Sequence, residues 1–157
     1  MCVDAQTPLD ALIESGKITA CLILPGVPTP TASAAAAALG VAAGQIIKSL
    51  LFTARSGELV LAIASGDTRI DRKRLAVEIG ALDVSLASPE TVLRATGYAV
   101  GGVSPVGHVT IVPVIMDERV LAWSVVYGGG GRVDALLEIT PAEIRRVTGA
   151  KVVGIDE

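Results

Sequence analysis

Apolar and polar positions form short segments along this chain, and glycine or proline separates them. Residues 46–54 and 59–64 are rich in β-branched and apolar side chains, which predicts two strands joined by a hairpin over residues 55–58. Three more strands are predicted over residues 109–115, 120–126 and 133–139. The pattern therefore places strands in both halves of the chain.

Helices are predicted where a capping residue precedes a helix-forming segment and a glycine ends it. Five segments fit this description: from Thr7 to Gly16, Thr31 to Gly40, Asp71 to Gly80, Ser88 to Gly97, and Thr140 to Gly149. Helices thus lie between groups of hairpin-connected strands. This order suggests one domain with an α+β sheet or partly closed barrel, rather than a doubly wound parallel fold.

Composition argues against proteins that bind single-stranded nucleic acid by base stacking and against broad binding to phosphates. The 157 residues are 51% hydrophobic but only 3% aromatic, so the chain can form a core yet has few side chains on which exposed bases could stack. The formal net charge is −3, so we expect no broad electrostatic attraction to phosphates. A local basic patch is still allowed.

The sequence shows no sign of export or membrane insertion. Asp4 and Asp10 occur where a secretory signal would have a basic start followed by an apolar run. Residues 18–47 and 95–116 lack charged side chains, but proline and glycine interrupt both stretches. We therefore expect a cytoplasmic protein.

Lys48 is the most informative single residue. It lies in a very apolar predicted strand, and alternation places it on the same face as Leu50 and Phe52. Burying an unpaired ammonium group is costly, so this lysine either reaches water at the strand end or holds a partner at a site.

Two glycine-rich segments could approach a ligand closely. Residues 101–107 read GGVSPVG, which fits either a rigid cradle of backbone amides or an ordinary tight loop. Residues 128–131 are four glycines, but Val133 stands where a dinucleotide-binding fingerprint would have its third glycine, and a strand follows. A flexible bend, or a wall that allows close approach, is the better interpretation.

Other chemistry has less support in the sequence. His108 is the only histidine, so a multi-histidine zinc site is excluded, and no Gly-x-Ser-x-Gly motif accompanies it. It could be a polar loop residue or the base of a hydrolase. A basic cluster at Arg69, Arg72, Lys73 and Arg74 could contact a few phosphates or form a solvated helix face.

Lys48 within residues 46–52, the Gly-x-x-x-Pro loop of residues 101–105 and the 131–141 segment occur in an order and spacing that resemble the YbaK/ProX family. These proteins are free-standing relatives of the editing domain of bacterial prolyl-tRNA synthetase. The resemblance implies an α+β fold with a mixed, largely antiparallel, barrel-like sheet surrounded by short helices. It also implies hydrolysis of the ester that joins a wrong amino acid to the 3′-terminal adenosine of a tRNA, without a cofactor or metal.

The resemblance also implies roles for individual residues. Backbone amides of residues 101–104 are expected to hold the ester carbonyl or the developing oxyanion, while Lys48 orients the substrate and a water attacks. The expected catalytic residues are Lys48, Gly101, Gly102 and Ser104. The expected substrate-binding residues are Thr31, Val103, Pro105, His108, Gly130, Gly131 and Arg69.

The acidic net charge bears on the expected partners. We expect recognition of the acceptor end of a mischarged tRNA, possible concentration there by an aminoacyl-tRNA synthetase, and no membrane contact. Alanine, cysteine, serine and threonine all remain open as the amino acid that is removed. Two alternatives also remain: a binding module without turnover, and a different ester or amide hydrolase with His108 as its base.

Overall fold

The computed structural model describes residues 7–157, so Asp4 lies outside the described part. Within that range eight strands form two sheets, one of three strands and one of five. The strands are β1 (Ala20–Ile23), β2 (Ile47–Ala54), β3 (Leu59–Ser65), β4 (Val84–Leu86), β5 (Val114–Asp117), β6 (Val126–Gly129), β7 (Leu136–Ile139) and β8 (Lys151–Val153). The helices are α1 (Pro8–Glu14), α2 (Ala32–Leu39), α3 (Arg72–Glu78), α4 (Pro89–Thr96) and α5 (Pro141–Thr148), with short 3-10 helices at Ala43–Gln45 and Glu118–Ala122.

The larger sheet has the strand order β4-β2-β3-β5-β8, and the smaller one has β1-β7-β6. The predicted hairpin is confirmed: β2 and β3 are antiparallel, with Lys48 opposite Ala64 and Thr53 opposite Leu59. The β3–β5 and β5–β8 pairs are parallel and the four other pairs are antiparallel, which confirms a mixed, largely antiparallel α+β fold. Within residues 7–157 neither sheet closes on itself, so the barrel-like closure remains unconfirmed.

The five predicted helices are confirmed, and their caps explain where they begin and end. Thr7 and Asp10 form a reciprocal capping box at the start of α1. The Thr31 side chain accepts from the Ala34 amide, which starts α2 beside the site described below. Gly40 and Gly97 adopt the left-handed conformation that ends α2 and α4.

The strand predicted over residues 109–115 is wrong for most of its length. The amides of Val109 and Thr110 donate to the carbonyls of Thr96 and Ala95 at the end of α4. Pro113 has no N–H group to contribute to a ladder. The strand therefore begins only at Val114.

The next two predicted strands are also shifted. Residues 118–122 form a 3-10 helix, and strand β6 begins at Val126 and continues into the glycine run. The last predicted strand is shorter than expected and covers Leu136–Ile139. Glycine therefore forms part of β6 here, where the sequence alone favoured a bend.

The hydrophobic core divides at β2 because successive side chains point to opposite faces of the sheet. Ile47 and Leu51 pack in a large cluster with residues of β3, β5 and β7. Phe52 packs on the other face with Leu75 of α3 and with neighbouring strands. Lys48 shares the Phe52 face, as alternation predicts. No helix in the described range is long and apolar enough to cross a membrane.

Candidate active site

A cavity of about 460 Å³ opens beside β2, between the start of α2, the 100–103 segment and strand β6. Its walls are mostly aliphatic, with Ile47, Leu51 and Val92 among the lining residues. Four of the residues expected to form a site line it together, although they come from distant parts of the sequence. These are Thr31, Lys48, Gly101 and Val103.

The cavity lies where the edge of β2 is uncovered. Strand β4 pairs only with Phe52–Ala54, and the Ala87 amide donates to the Leu51 carbonyl at 2.9 Å. Before Leu51 this edge has no neighbouring strand among residues 7–157 until the isolated bridge at Ile46. An exposed strand edge can present backbone groups to a ligand.

Lys48 is half-buried, and its ammonium donates a hydrogen bond to the Thr68 carbonyl. Burial lowers the pKa of this lysine, Asp67 raises it, and Arg69 lowers it further. Within residues 7–157 no carboxylate forms an ion pair with Lys48. The remaining N–H groups of the ammonium are therefore available to a ligand.

The 101–107 loop carries several backbone amides that find no acceptor in the part of the chain that the structure describes. The Gly102 amide donates to the Ala99 carbonyl at 3.0 Å, but the amides of Gly101, Val103 and Ser104 have no acceptor among the described residues. Gly101 has a φ of +98°, which only glycine adopts readily. Unpaired amides beside a cavity can hold a carbonyl oxygen or an oxyanion.

Ser104 and His108 lie behind this loop rather than in the cavity wall. Ser104 is fully buried, and its hydroxyl accepts from the Val106 amide at 3.1 Å. Nε2 of His108 lies 2.7 Å from the Ser104 carbonyl oxygen, and burial lowers the pKa of the imidazole. Pro105 is also buried.

Close contacts with neighbouring backbone explain why glycines occur in residues 128–131. A Cβ on Gly129 would overlap the carbonyl oxygen of Val103, and one on Gly130 would lie 2.6 Å from the backbone of Ala135. Gly128 and Gly129 line the cavity, whereas Gly130 and Gly131 do not. Gly131 instead donates its amide to the Gly102 carbonyl at 2.9 Å.

Two residues near the cavity were not singled out from the sequence. Ser49 lines it, is 8% exposed, and its hydroxyl has no hydrogen-bond partner among the described residues. Tyr98 is buried behind the loop and contacts it through its hydroxyl. From the sequence alone, neither a single serine in an apolar strand nor a tyrosine after a helix indicates a position near a cavity. Arg69 is exposed and lies outside the cavity wall.

The sequence model of the aminoacyl-tRNA editing domain matches residues 27–147. The chain belongs to this family. The matched range contains the cavity and the 101–107 loop. An uncharacterised protein of Bacillus subtilis, YwhH, is 32% identical over 122 residues, which cover 78% of this chain and 77% of that protein.

Other relatives of this editing domain have more informative names. A protein of Enterococcus faecalis named as a candidate Cys-tRNA(Pro)/Cys-tRNA(Cys) deacylase is 27% identical over 77% of this chain and 74% of its own. The crystal structure of a candidate trans-editing enzyme for prolyl-tRNA synthetase superposes with a TM-score of 0.84 and 36% identity, covering 96% of this chain and 95% of the other. A proline–tRNA ligase of Nitratidesulfovibrio vulgaris is 42% identical, but the match spans only 21% of the ligase.

Proposed function

We propose that this chain is a trans-editing aminoacyl-tRNA deacylase. It hydrolyses the ester between a wrongly attached amino acid and the 3′-terminal adenosine of a tRNA. The observation that carries this proposal is the cavity, where an ammonium and several backbone amides border the same space. In the described part of the chain, the ammonium has no paired carboxylate and the amides have no acceptor. Membership in the editing-domain family, and relatives named for deacylation and trans-editing, support the same reaction.

The reaction needs no protein nucleophile. The oxygen of a water attacks the ester carbonyl carbon, the bond from that carbon to the ribose oxygen breaks, and the ribose oxygen takes a proton derived from the water. The products are the free amino acid and a tRNA with an intact terminal hydroxyl. Negative charge develops on the carbonyl oxygen during attack, so well-placed hydrogen-bond donors accelerate this step.

The donors that we assign to this oxygen are the amides of Gly101 and Val103, which line the cavity, whereas Ser104 is fully buried behind the loop. The Gly102 amide already serves the turn, so its part is steric: a Cβ at this position would lie 3.0–3.2 Å from the backbone of Arg132. We thus refine the expected amide cradle to two of its four residues. Pro105, which has no N–H group, restricts the backbone at the end of the cradle.

Lys48 orients the substrate through the terminal phosphate, a ribose hydroxyl or the ester carbonyl. The attacking water is assisted by the neighbouring ribose hydroxyl of the substrate itself. Because the ester is activated, positioning and carbonyl polarisation are enough for useful rates. Thr31 lines the cavity at the start of α2 and contacts the substrate there.

The remaining assigned residues act around the cavity. Arg69 is exposed near Lys48 and meets a phosphate of the terminal nucleotides. Gly131 holds the loop through its hydrogen bond to the Gly102 carbonyl, and Gly130, which donates to the Ala135 carbonyl, precedes it in the same segment. Both residues thus act on the substrate through the loop. With a net charge of −3 the protein recognises mainly the acceptor end in the cytoplasm, and a synthetase brings that end to it.

The size and lining of the cavity suit a small amino acid. A cavity of about 460 Å³ must also receive part of the terminal adenosine, and its mostly aliphatic wall discriminates weakly by size. Alanine, cysteine, serine and threonine are therefore the candidates to test.

Deacylation of tRNAs charged with Ala, Cys, Ser, Thr or Pro tests the proposed function. We expect the protein to release at least one of the four small amino acids faster than buffer does, and to spare Pro-tRNA. A protein that binds these tRNAs but accelerates none of the hydrolyses would overturn the proposal in favour of a binding module. The same series shows which amino acid is preferred.

A further inference from the structure

We propose that His108 is a positioning residue for this site, because it holds the Ser104 carbonyl and thereby fixes the loop that presents the unpaired amides. The residue does not line the cavity. The kinetic part of this inference rests on the proposed deacylase function. The structural part does not.

The geometry fixes the direction of the His108 hydrogen bond. A carbonyl oxygen can only accept, so at 2.7 Å the Nε2 atom of His108 must carry the proton and donate it to Ser104. Ser104 is fully buried, and no other described residue donates to its carbonyl. Loss of this donor would leave a buried carbonyl unpaired, which proteins rarely tolerate.

Tyr98 supports the same side of the loop. Its hydroxyl lies 3.0 Å from the Val106 carbonyl and 2.8 Å from the Gly107 carbonyl, and its ring meets that of His108 edge to face at 6.2 Å. The two rings therefore contact three carbonyls of the loop, those of Ser104, Val106 and Gly107. None of these contacts involves a group that lines the cavity.

The segment that carries two of the free amides is held at both ends. At one end the Gly102 carbonyl accepts from the Gly131 amide at 2.9 Å, and because the peptide unit is planar and trans, the Val103 N–H points the opposite way. At the other end His108 holds the Ser104 carbonyl. Without His108 the hydrogen bond to the Ser104 carbonyl is lost. The peptide units that carry the Val103 and Ser104 amides can then rotate.

Two substitutions separate the hydrogen bond from the volume of the ring. His108→Leu removes the donor and keeps an apolar side chain, whereas the amide nitrogen of His108→Gln can donate from a position close to that of Nε2. Ile144 is a buried core residue on α5, and Ile144→Val serves as a control for a small loss of stability remote from the loop.

Steady-state deacylation of the preferred charged tRNA provides the kinetic readout. We expect His108→Leu to lower kcat by about tenfold or more while KM changes by less than about threefold, because a displaced donor costs transition-state stabilisation. His108→Gln should recover most of kcat, and Ile144→Val should keep it. A wild-type kcat in His108→Leu, or an equal loss in His108→Gln, would overturn the proposal.

Nitrogen-15 NMR of the wild-type protein tests the structural part without any substrate. We expect Nε2 of His108 to be protonated and Nδ1 to be free of hydrogen at neutral pH. A proton on Nδ1 alone would overturn the proposal, even if every variant failed to fold. If wild-type protein deacylates none of the tRNAs, the proposed function fails, and this spectrum still decides the hydrogen bond.

Discussion

The two sides of the cavity are built in different ways. Residues 47–51 of β2, here called the strand wall, are fixed by regular pairing with β3. Residues 101–107, here called the loop wall, lie outside any strand and depend on His108, Tyr98 and the Gly131 amide. A substitution on the strand wall can therefore leave the backbone conformation unchanged. A small substitution behind the loop wall instead moves the backbone of the loop.

Lys48→Ala, on the strand wall, should have the largest effect on activity. We expect kcat/KM for deacylation to fall about 100-fold or more, since no other cation lines the cavity in the described structure. The free energy of unfolding should stay the same or rise slightly, because burial already disfavours the charged lysine. Urea denaturation checks the second expectation.

Lys151→Ala is the matched control for this lysine. Lys151 pairs with Glu78 at 2.8 Å on β8, outside the cavity. The Lys151→Ala substitution should leave deacylation unchanged. A Lys48→Ala protein that deacylates at the wild-type rate would show that Lys48 of the strand wall has no part in the reaction.

Gly129→Ala tests how the loop wall is supported. The added Cβ would overlap the Val103 carbonyl oxygen, so the loop must shift, at a cost of about 1–3 kcal/mol in stability. We expect activity to fall together with stability. Gly154→Ala is the control, because its Cβ would meet only the end of the flexible Glu118 side chain at 3.2 Å. Equal melting temperatures for the two variants would contradict the close contact.

Glu143 belongs to neither wall, and its effect should be the smallest. The ion pair with Arg146 at 2.6 Å, and the Thr19 amide at 2.6 Å, lower the pKa of Glu143 to about 2. A lowered carboxyl pKa stabilises the fold above the ordinary value of 4.5, and this stabilisation is lost as the pH falls towards about 2.

We therefore expect Glu143→Gln to be slightly less stable than wild type near neutral pH and to lose less stability between about pH 5 and pH 2. Deacylation should be unaffected. Urea denaturation at several pH values checks this difference. Parallel acid curves for the two proteins would show that the ion pair contributes nothing.

The sequence predicted the strand wall well because the signals there are local. Alternation in residues 46–54 placed Lys48 on the Phe52 face, and the hairpin with β3 followed from its turn residues. The helix caps, such as Thr31, were equally readable. Each of these features depends on neighbours within a few residues.

The loop wall could be identified but not explained from the sequence. Its glycine and proline marked residues 101–107, yet the contact between His108 and Ser104 depends on a backbone conformation that no periodicity encodes. The strand predicted over residues 109–115 failed for a related reason, since the end of α4 takes the amides of Val109 and Thr110. Hydrogen bonds between residues that no periodicity relates decided both outcomes.

The central claim is that the unpaired loop amides hold the ester carbonyl oxygen. Nitrogen-15 NMR with a non-hydrolysable analogue, 3′-amino-3′-deoxyadenosine carrying alanine through an amide bond, tests it directly. We predict saturable shifts of the Gly101 and Val103 amides and a smaller shift of Gly102, whose N–H is bound to Ala99. Saturable binding that leaves both the Gly101 and the Val103 amide unperturbed would contradict this claim.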